Sequence, residues 1–115
     1  MERPVAGEVV VVPFPHADLT GVKRRPALVL VPLRGEDVIL CQITSQARFD
    51  GYSIPLASSD FASGGLPLAS HIRPNRLFTA HQSVLIRSVG LLQTTKRDEV
   101  LEQVRRLFVA QKSSQ

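Results

Sequence analysis

The sequence is poor in the residues that build cross-links, metal sites and membrane spans. Cys41 is the only cysteine among 115 residues, which excludes an internal disulfide framework and a multi-cysteine metal site. Histidine and cysteine pairs at ligand spacing are absent, so we expect no metal ion and no cofactor. No apolar run approaches the roughly 20 residues of a membrane helix, and no basic segment followed by an apolar stretch opens the chain. We therefore expect a cytoplasmic protein without a membrane anchor.

The composition is that of an ordinary folded domain with a basic bias. Hydrophobic residues make up 43% of the chain and charged residues 21%, which excludes global disorder. This length predicts a single domain over residues 1–115. Fourteen Lys and Arg against ten Asp and Glu give a net charge of +4. The bias suits a nucleic acid or an acidic protein partner, although many small domains carry such a charge for solubility alone.

Short apolar runs separated by turn residues predict a mainly β protein. Residues 8–14 lack alternation, which indicates a strand covered on both faces. Pro55 favours an edge position for its short strand. Residues 15–21 and 57–67 are predicted loops, 35–37 a polar turn, and 83–92 fit no single element. The other predicted strands are residues 26–31, 38–43, 53–56, 68–72 and 77–79, the last two separated by Pro74 and Asn75.

The end of the chain has the period of a helix. One apolar stripe runs along it, formed by Val100, Leu101, Val104, Leu107 and Phe108. Thr95 followed by Asp98 resembles a capping box at its start. Many short strands followed by one C-terminal α-helix predict a small, strongly curved barrel with the helix packed against it.

Two polar segments at strand ends are candidates for phosphate binding. Lys23, Arg24 and Arg25 precede Pro26, which holds Arg25 extended at the entrance of a buried strand, and an Arg fork there is well placed to bind a phosphate. The other interpretation is a solvated basic loop. The segment Ile43-Thr44-Ser45-Gln46 ends the next strand, where its hydroxyls and amide can bind phosphate oxygens or merely cap a turn.

Three histidines invite an acid–base interpretation. Two imidazoles that flank a phosphate can cleave RNA by moving protons. The spacing of His16, His71 and His81 does not require such an arrangement, and a lone histidine in a loop is more often a surface residue.

Taken together, these segments are similar to a known family. The stretch from Gly7 to Phe14, followed by a short loop and Arg24-Arg25-Pro26-Ala27-Leu28-Val29-Leu30, resembles the opening of the MazF/PemK family of bacterial toxins. Ile43-Thr44-Ser45-Gln46 resembles its second signature. The segment Ser70-His71-Ile72-Arg73-Pro74-Asn75-Arg76-Leu77 resembles a third.

The resemblance implies a fold and an activity. The fold is a small SH3-like barrel of the plasmid-maintenance toxin type, and the activity is metal-independent cleavage of single-stranded RNA (mRNA) to 2′,3′-cyclic phosphate and 5′-hydroxyl ends. It gives catalytic roles to Arg25 and Thr44. The residues expected to bind substrate are Lys23, Arg24, Ser45, Gln46, Arg73 and Arg76.

Some family features are absent here. Several relatives carry a Trp in the first strand and a Glu in the loop before the Arg, whereas this loop has Asp18 and Thr20. His16 and Asp18 are therefore the candidates for the proton acceptor. Exposed bases are often bound by stacking, for which Phe49, Tyr52 and Phe61 are candidates, although packing of a small barrel explains them equally well.

The resemblance also implies partners and leaves two alternatives open. The expected partners are single-stranded RNA, a cognate antitoxin with an acidic tail, and a second copy in a homodimer. One alternative is a non-catalytic barrel that binds a protein target such as gyrase. The other is a plain RNA-binding module.

Overall fold

The structure is a computed structural model that describes residues 2–15, 21–47 and 49–109. Within these residues the chain forms seven strands, two short 3₁₀ helices and one α-helix. The strands are β1 (Glu8–Pro15), β2 (Val22–Pro32), β3 (Asp37–Thr44), β4 (Ile54–Leu56), β5 (Phe61–Gly64), β6 (Ser70–His81) and β7 (Arg87–Leu92). The α-helix is α1 (Thr94–Leu107), and the 3₁₀ helices are Ser58–Asp60 and Gln82–Val84.

All the described strands belong to one curled antiparallel sheet in the order β4-β6-β3-β2-β1-β7-β5. The central strands β1, β2 and β3 are joined in chain order, whereas β6 and β7 flank them on opposite sides. This arrangement confirms the prediction of a mainly β barrel-like fold with a C-terminal helix. The short strand β4 lies at one edge, as Pro55 predicted.

The central strands are buried on both faces, as the apolar run of residues 8–14 predicted. On one face, Val9 and Leu28 pack in a core that receives Val100 from α1. On the other face, Val10 and Val29 pack in a second core, and alternate residues of each strand serve opposite cores because successive side chains project to opposite sides. The second core ends in an edge-to-face contact between the rings of Phe14 and Phe78.

The β2–β3 hairpin closes through a turn at the predicted position. Gly35 has a φ of +79°, which glycine adopts without the steric penalty of a Cβ. The Leu33 N–H donates to the Asp37 carbonyl at 2.9 Å. The guanidinium of Arg3 donates to the carbonyls of Gly35 and Leu33, so the N-terminal segment fixes this turn.

The structure corrects the start of the second strand. Strand β2 begins at Val22, so Lys23, Arg24 and Arg25 lie in the strand and not in a loop. Arg24 and Arg25 pair with Pro13 and Val12 of β1. The side chains of Arg24 and Arg25 are exposed. Because this end of the strand is polar, the apolar run that predicted the strand begins only at Pro26.

The predicted loop 57–67 is also wrong in part. It contains the 3₁₀ helix Ser58–Asp60 and strand β5. Phe61 is buried in the core, while the small residues after it allow β5 to approach β7 closely. The unassigned region 83–92 contains the end of the second 3₁₀ helix and β7.

Strand β6 runs through the predicted break at Pro74. Cys41 pairs with Leu77 and Gln42 pairs with Arg73, so residues 74–76 form a bulge in an otherwise continuous strand. Pro74 is fully buried in that bulge. A bulge is where a strand tolerates a residue that cannot donate to the ladder.

The helix forms as predicted, but its ends differ. Val100 is fully buried, whereas Phe108 is 75% exposed and lies at the C-cap beyond the stripe. The predicted capping box is absent, because the N-cap residue is Gln93 and Asp98 binds Arg97 instead. The amide of Gln93 donates to the Ser59 carbonyl at 2.9 Å, which ties the helix start to the 3₁₀ helix.

The close approach of β5 and β7 at two glycines provides a test of this fold. Gly64 pairs with Gly90, and a Cβ on Gly90 would lie 2.7 Å from the Ser63 carbonyl oxygen. We expect Gly90→Ala to lower the free energy of unfolding by about 1–3 kcal/mol, as overpacking does. Gly65→Ala is the control, since nothing lies within 4 Å of its Cβ position. Equal stability of the two variants in urea unfolding would contradict this packing.

Candidate active site

The two residues predicted to be catalytic lie on neighbouring strands and line the same cavities. The β2–β3 pairing ends at Ala27 and Gln42, and continuing the same antiparallel register for two residues places Arg25 opposite Thr44. Directly opposed residues project from the same face with Cβ atoms about 4.5–5.5 Å apart. The sheet register therefore brings together residues that are 19 positions apart in the chain.

Arg25 and Thr44 line two adjoining cavities, together with Pro26 and Ile43. The larger has a volume of about 200 Å³, and its other lining residues are Lys23, Arg24, Ser45, Leu66, Pro67, Leu68 and Ser70. The smaller has a volume of about 110 Å³ and adds Phe14, Gln42 and Arg73. The predicted substrate-binding residues Lys23, Arg24, Ser45 and Arg73 therefore converge on the same place.

The hydroxyl of Thr44 is oriented by its own chain. Its Oγ1 accepts a hydrogen bond from the Gln46 N–H at 3.1 Å. Because a hydroxyl both accepts and donates, the oxygen is fixed while its proton remains available for a ligand. Gln46 contributes to the site through this backbone contact, and its side chain is exposed beside Ser45.

Arg73 reaches the site from β6 and is paired with a carboxylate. Its Nη2 donates to Asp50 Oδ2 at 3.2 Å, and its side chain is only 16% exposed. The Nε atom is buried and has no hydrogen-bond partner in the described part of the chain. Arg73 is thus held at the smaller cavity with donor capacity still unused.

Asp50 is a charged anchor of the loop between β3 and β4. Its carboxylate accepts hydrogen bonds from the N–H groups of Tyr52 and Ser53 at 3.0 and 3.1 Å. The Tyr52 N–H, with further contributions from Ser53 and Arg73, lowers the pKa of Asp50 to about 2. The carboxylate is therefore ionised at neutral pH and keeps Arg73 in place.

The remaining predicted residues are placed less centrally or cannot be described. Arg76 is exposed in the β6 bulge, outside both cavities. His16 and Asp18 lie outside the described residues. Phe61 is a core residue and not a base platform, whereas Phe49 is 98% exposed and Tyr52 is half-exposed on the loop that follows Thr44.

Gln42 lines the smaller cavity although no motif singled it out, whereas His71, one of the three histidines considered for acid–base chemistry, lines neither cavity. Gln42 lies opposite Arg73, and His71 lies opposite Thr44, both in the β3–β6 pairing. The sequence does contain a signal for a functional role of Gln42, because it is the polar residue within the apolar run 38–43. His81 is held at the other end of β6, where its Nε2 lies 2.7 Å from a Glu36 carboxylate oxygen.

The described residues around the cavities include neither a metal-binding cluster nor a reactive thiol. Among the described residues, no group of three or more His, Cys, Asp or Glu side chains is arranged to hold a metal ion. Burial raises the pKa of the Cys41 thiol to about 12, so this cysteine is a neutral core residue at physiological pH.

Comparison with known proteins identifies the family. The model of the PemK-like, MazF-like toxins of type II toxin–antitoxin systems matches residues 6–108. The chain belongs to this family. No curated protein matches this toxin significantly by sequence. Within its described residues, no helix is long and apolar enough to cross a membrane.

Solved structures share the toxin's fold. A MazE–MazF structure from Deinococcus radiodurans matches with a TM-score of 0.71 and 22% identity, over 91% of this chain and 95% of that chain. The Mycobacterium tuberculosis toxin MazF-mt6 gives 0.67 and 22%, over 88% and 95%. A mycobacterial endoribonuclease in complex with its cognate antitoxin gives 0.70 and 16%, over 95% and 99%.

The hydrogen bonds to the Asp50 carboxylate, from the Tyr52 N–H above all and also from Ser53 and Arg73, predict that the stability of this toxin depends on pH in acid. The folded-state pKa of Asp50 is depressed, so its contribution to stability is present above the unfolded pKa of about 3.9 and is lost as the pH falls through about 2. Asp50→Asn keeps an oxygen that can accept the hydrogen bonds of the loop backbone but removes the negative charge. We expect it to be less stable than the wild type at pH 6, and the difference to shrink towards pH 2. A constant difference in urea unfolding across this range would contradict the assignment.

Proposed function

We propose that this toxin is an endoribonuclease that cleaves single-stranded RNA, mRNA in the cell, at short sequences. The observation that carries the proposal is that Arg25 of β2 and Thr44 of β3 line the same basic cavity. A guanidinium fork and a hydroxyl that converge on one point suit a phosphodiester. An inhibitor of a protein target has no need of that pair.

The reaction is an internal transesterification. The 2′-hydroxyl of the RNA attacks the adjacent phosphorus, the bond from phosphorus to the 5′-oxygen breaks, and the products are a 2′,3′-cyclic phosphate and a 5′-hydroxyl. Arg25 stabilises the charge that develops on the phosphoryl oxygens, and Thr44 donates its proton to one of them. This route needs no metal ion, because the nucleophile belongs to the RNA and is oriented by binding.

Substrate binding extends beyond the reacting phosphate. Lys23 and Arg24 line the larger cavity and are exposed, so they bind neighbouring phosphates of the strand. Arg73 and Arg76 act in the same way from β6. Phe49 and Tyr52, which are exposed on the loop after Thr44, provide faces on which unpaired bases stack.

The proposed partners follow from the family and the charge. A cognate antitoxin with an acidic tail covers the basic site and blocks RNA, consistent with the antitoxin complex solved for the mycobacterial relative. A second copy of the chain completes a homodimer. With mRNA as its substrate, the toxin acts in the cytoplasm.

Matched substitutions test the catalytic pair. We expect Arg25→Ala and Thr44→Val to reduce cleavage by about 100-fold or more, because each removes a stabilising donor from the transition state. Arg34→Ala is the control, since Arg34 is an exposed Arg in the β2–β3 turn away from both cavities. The assay is cleavage of a long single-stranded RNA in EDTA by antitoxin-free protein, with the ends of the fragments identified chemically.

Three results would count against the proposal. Full cleavage by a folded Arg25→Ala variant would remove Arg25 from the mechanism. Cleavage abolished by EDTA and restored by a divalent cation would contradict the metal-independent route. Intact RNA after incubation with the folded wild type, across several sequences, would favour a toxin-like barrel that binds without cleaving.

A further inference from the structure

One chemical role is left open by Arg25 and Thr44, that of the group that takes the proton from the 2′-hydroxyl. His71 lies on β6 directly opposite Thr44. Arg25 of β2 lines both cavities together with Thr44, so Arg25, Thr44 and His71 lie on three neighbouring strands in the same part of the sheet. Opposed residues project from the same face, and neighbouring strands are about 4.8 Å apart. A phosphate that binds Arg25 and Thr44 is then about one strand spacing from His71.

The surroundings of His71 leave one edge of the ring available. The residue is half-buried, and its Nδ1 is enclosed without a hydrogen-bond partner in the described part of the chain. The ring therefore meets solvent through its other edge, which carries Nε2. His71 itself lines neither cavity, but two neighbours on β6 do, Ser70 at the larger and Arg73 at the smaller.

The charged groups around His71 make it the available base among the described residues. Arg25 comes from β2 and Arg73 from β6 itself, and neither cation has a lone pair to accept a proton. Asp50, from the β3–β4 loop, is paired with Arg73, and its pKa of about 2 makes it a weak base. On the other side, β4 places Pro55 opposite His71, and Lys96 of α1 donates to the Pro55 carbonyl.

We propose that His71 is the general base of this site, an inference that rests on the proposed function. Neutral His71 accepts the proton of the 2′-hydroxyl through Nε2 as the 2′-oxygen bonds to phosphorus. The bond to the 5′-oxygen breaks, and that oxygen takes a proton from water. The imidazolium then releases its proton to solvent, so charge and protons balance over one turnover.

His81 supplies a matched control on the same strand. It lies at the far end of β6, where its imidazole binds Glu36 and Ser83 and where it pairs with Asp37, at the opposite end of β3 from Thr44. We expect His71→Gln to lower the cleavage rate by about 100-fold or more, the size typical of general acid–base catalysis, while His81→Gln retains it. Binding of a non-cleavable 2′-O-methyl RNA is expected to stay within a few-fold of the wild type, which separates chemistry from binding.

Two measurements distinguish a base from a structural residue. The wild-type rate is expected to rise with pH along a limb that His71→Gln lacks. In His71→Ala, added imidazole is expected to restore part of the cleavage. A variant that loses stability in thermal unfolding, shows no imidazole rescue and keeps the pH limb would assign His71 a structural role and overturn the proposal.

A modified substrate tests the direction of proton transfer. RNA with a 5′-bridging sulfur has a leaving group that needs no protonation. If His71 is the base, the defect of His71→Gln persists on this substrate. If the defect disappears, His71 acts as the acid and the proposal is wrong.

The role of His71 and the proposed function can be overturned separately. Full cleavage by a folded His71→Gln variant, with Arg25→Ala inactive, would overturn the role of His71 alone. Absence of cleavage by the folded wild type would overturn the proposed function itself.

Discussion

The site depends on the register between β2 and β3. Both strands are buried on both faces. A slip of one residue would exchange the two faces but would still bury apolar side chains, so the apolar pattern alone fixes the register only weakly. The polar ends and the turn fix it instead. Arg3 binds the turn carbonyls at one end of the hairpin, and Arg25 faces Thr44 at the other. A slipped register would carry the Arg25 side chain onto the core that contains Ile43 and separate it from Thr44.

The same register extends the site onto β6. Gln42 meets Arg73 and Thr44 meets His71, so two rows of polar side chains cross the curled sheet beside its second core. Arg73 is the cation of these rows that is paired with a carboxylate, the ionised Asp50, which also anchors the loop that follows Thr44. In the proposed reaction the sheet orients the reacting groups, and the loop after Thr44 presents the exposed Phe49 and Tyr52 for base stacking.

The segments that could be predicted from the sequence are those in which buried apolar residues predominate. The apolar runs of β1 and β3 and the stripe around Val100 were predicted correctly, because buried positions dominate them. Strand β5 was missed because its residues after Phe61 are small, and β6 was divided because Pro74 sits in a bulge that no local pattern reveals. Arg25 and Thr44 were predicted from strand ends and a family resemblance. The Asp50–Arg73 pair joins residues 23 positions apart, a contact that only the folded sheet discloses.

The most direct test of this account is the structure of the protein bound to a short single-stranded RNA with a 2′-O-methyl group at the cleavage position. The account predicts one phosphate between β2 and β3, with its oxygens within hydrogen-bond distance of the Arg25 guanidinium and the Thr44 hydroxyl, and with the 2′-oxygen facing His71. An RNA bound elsewhere, for example at the cavity lined by Glu2, Glu8 and Ser88, would contradict the central claim that the β2–β3 register builds the active site.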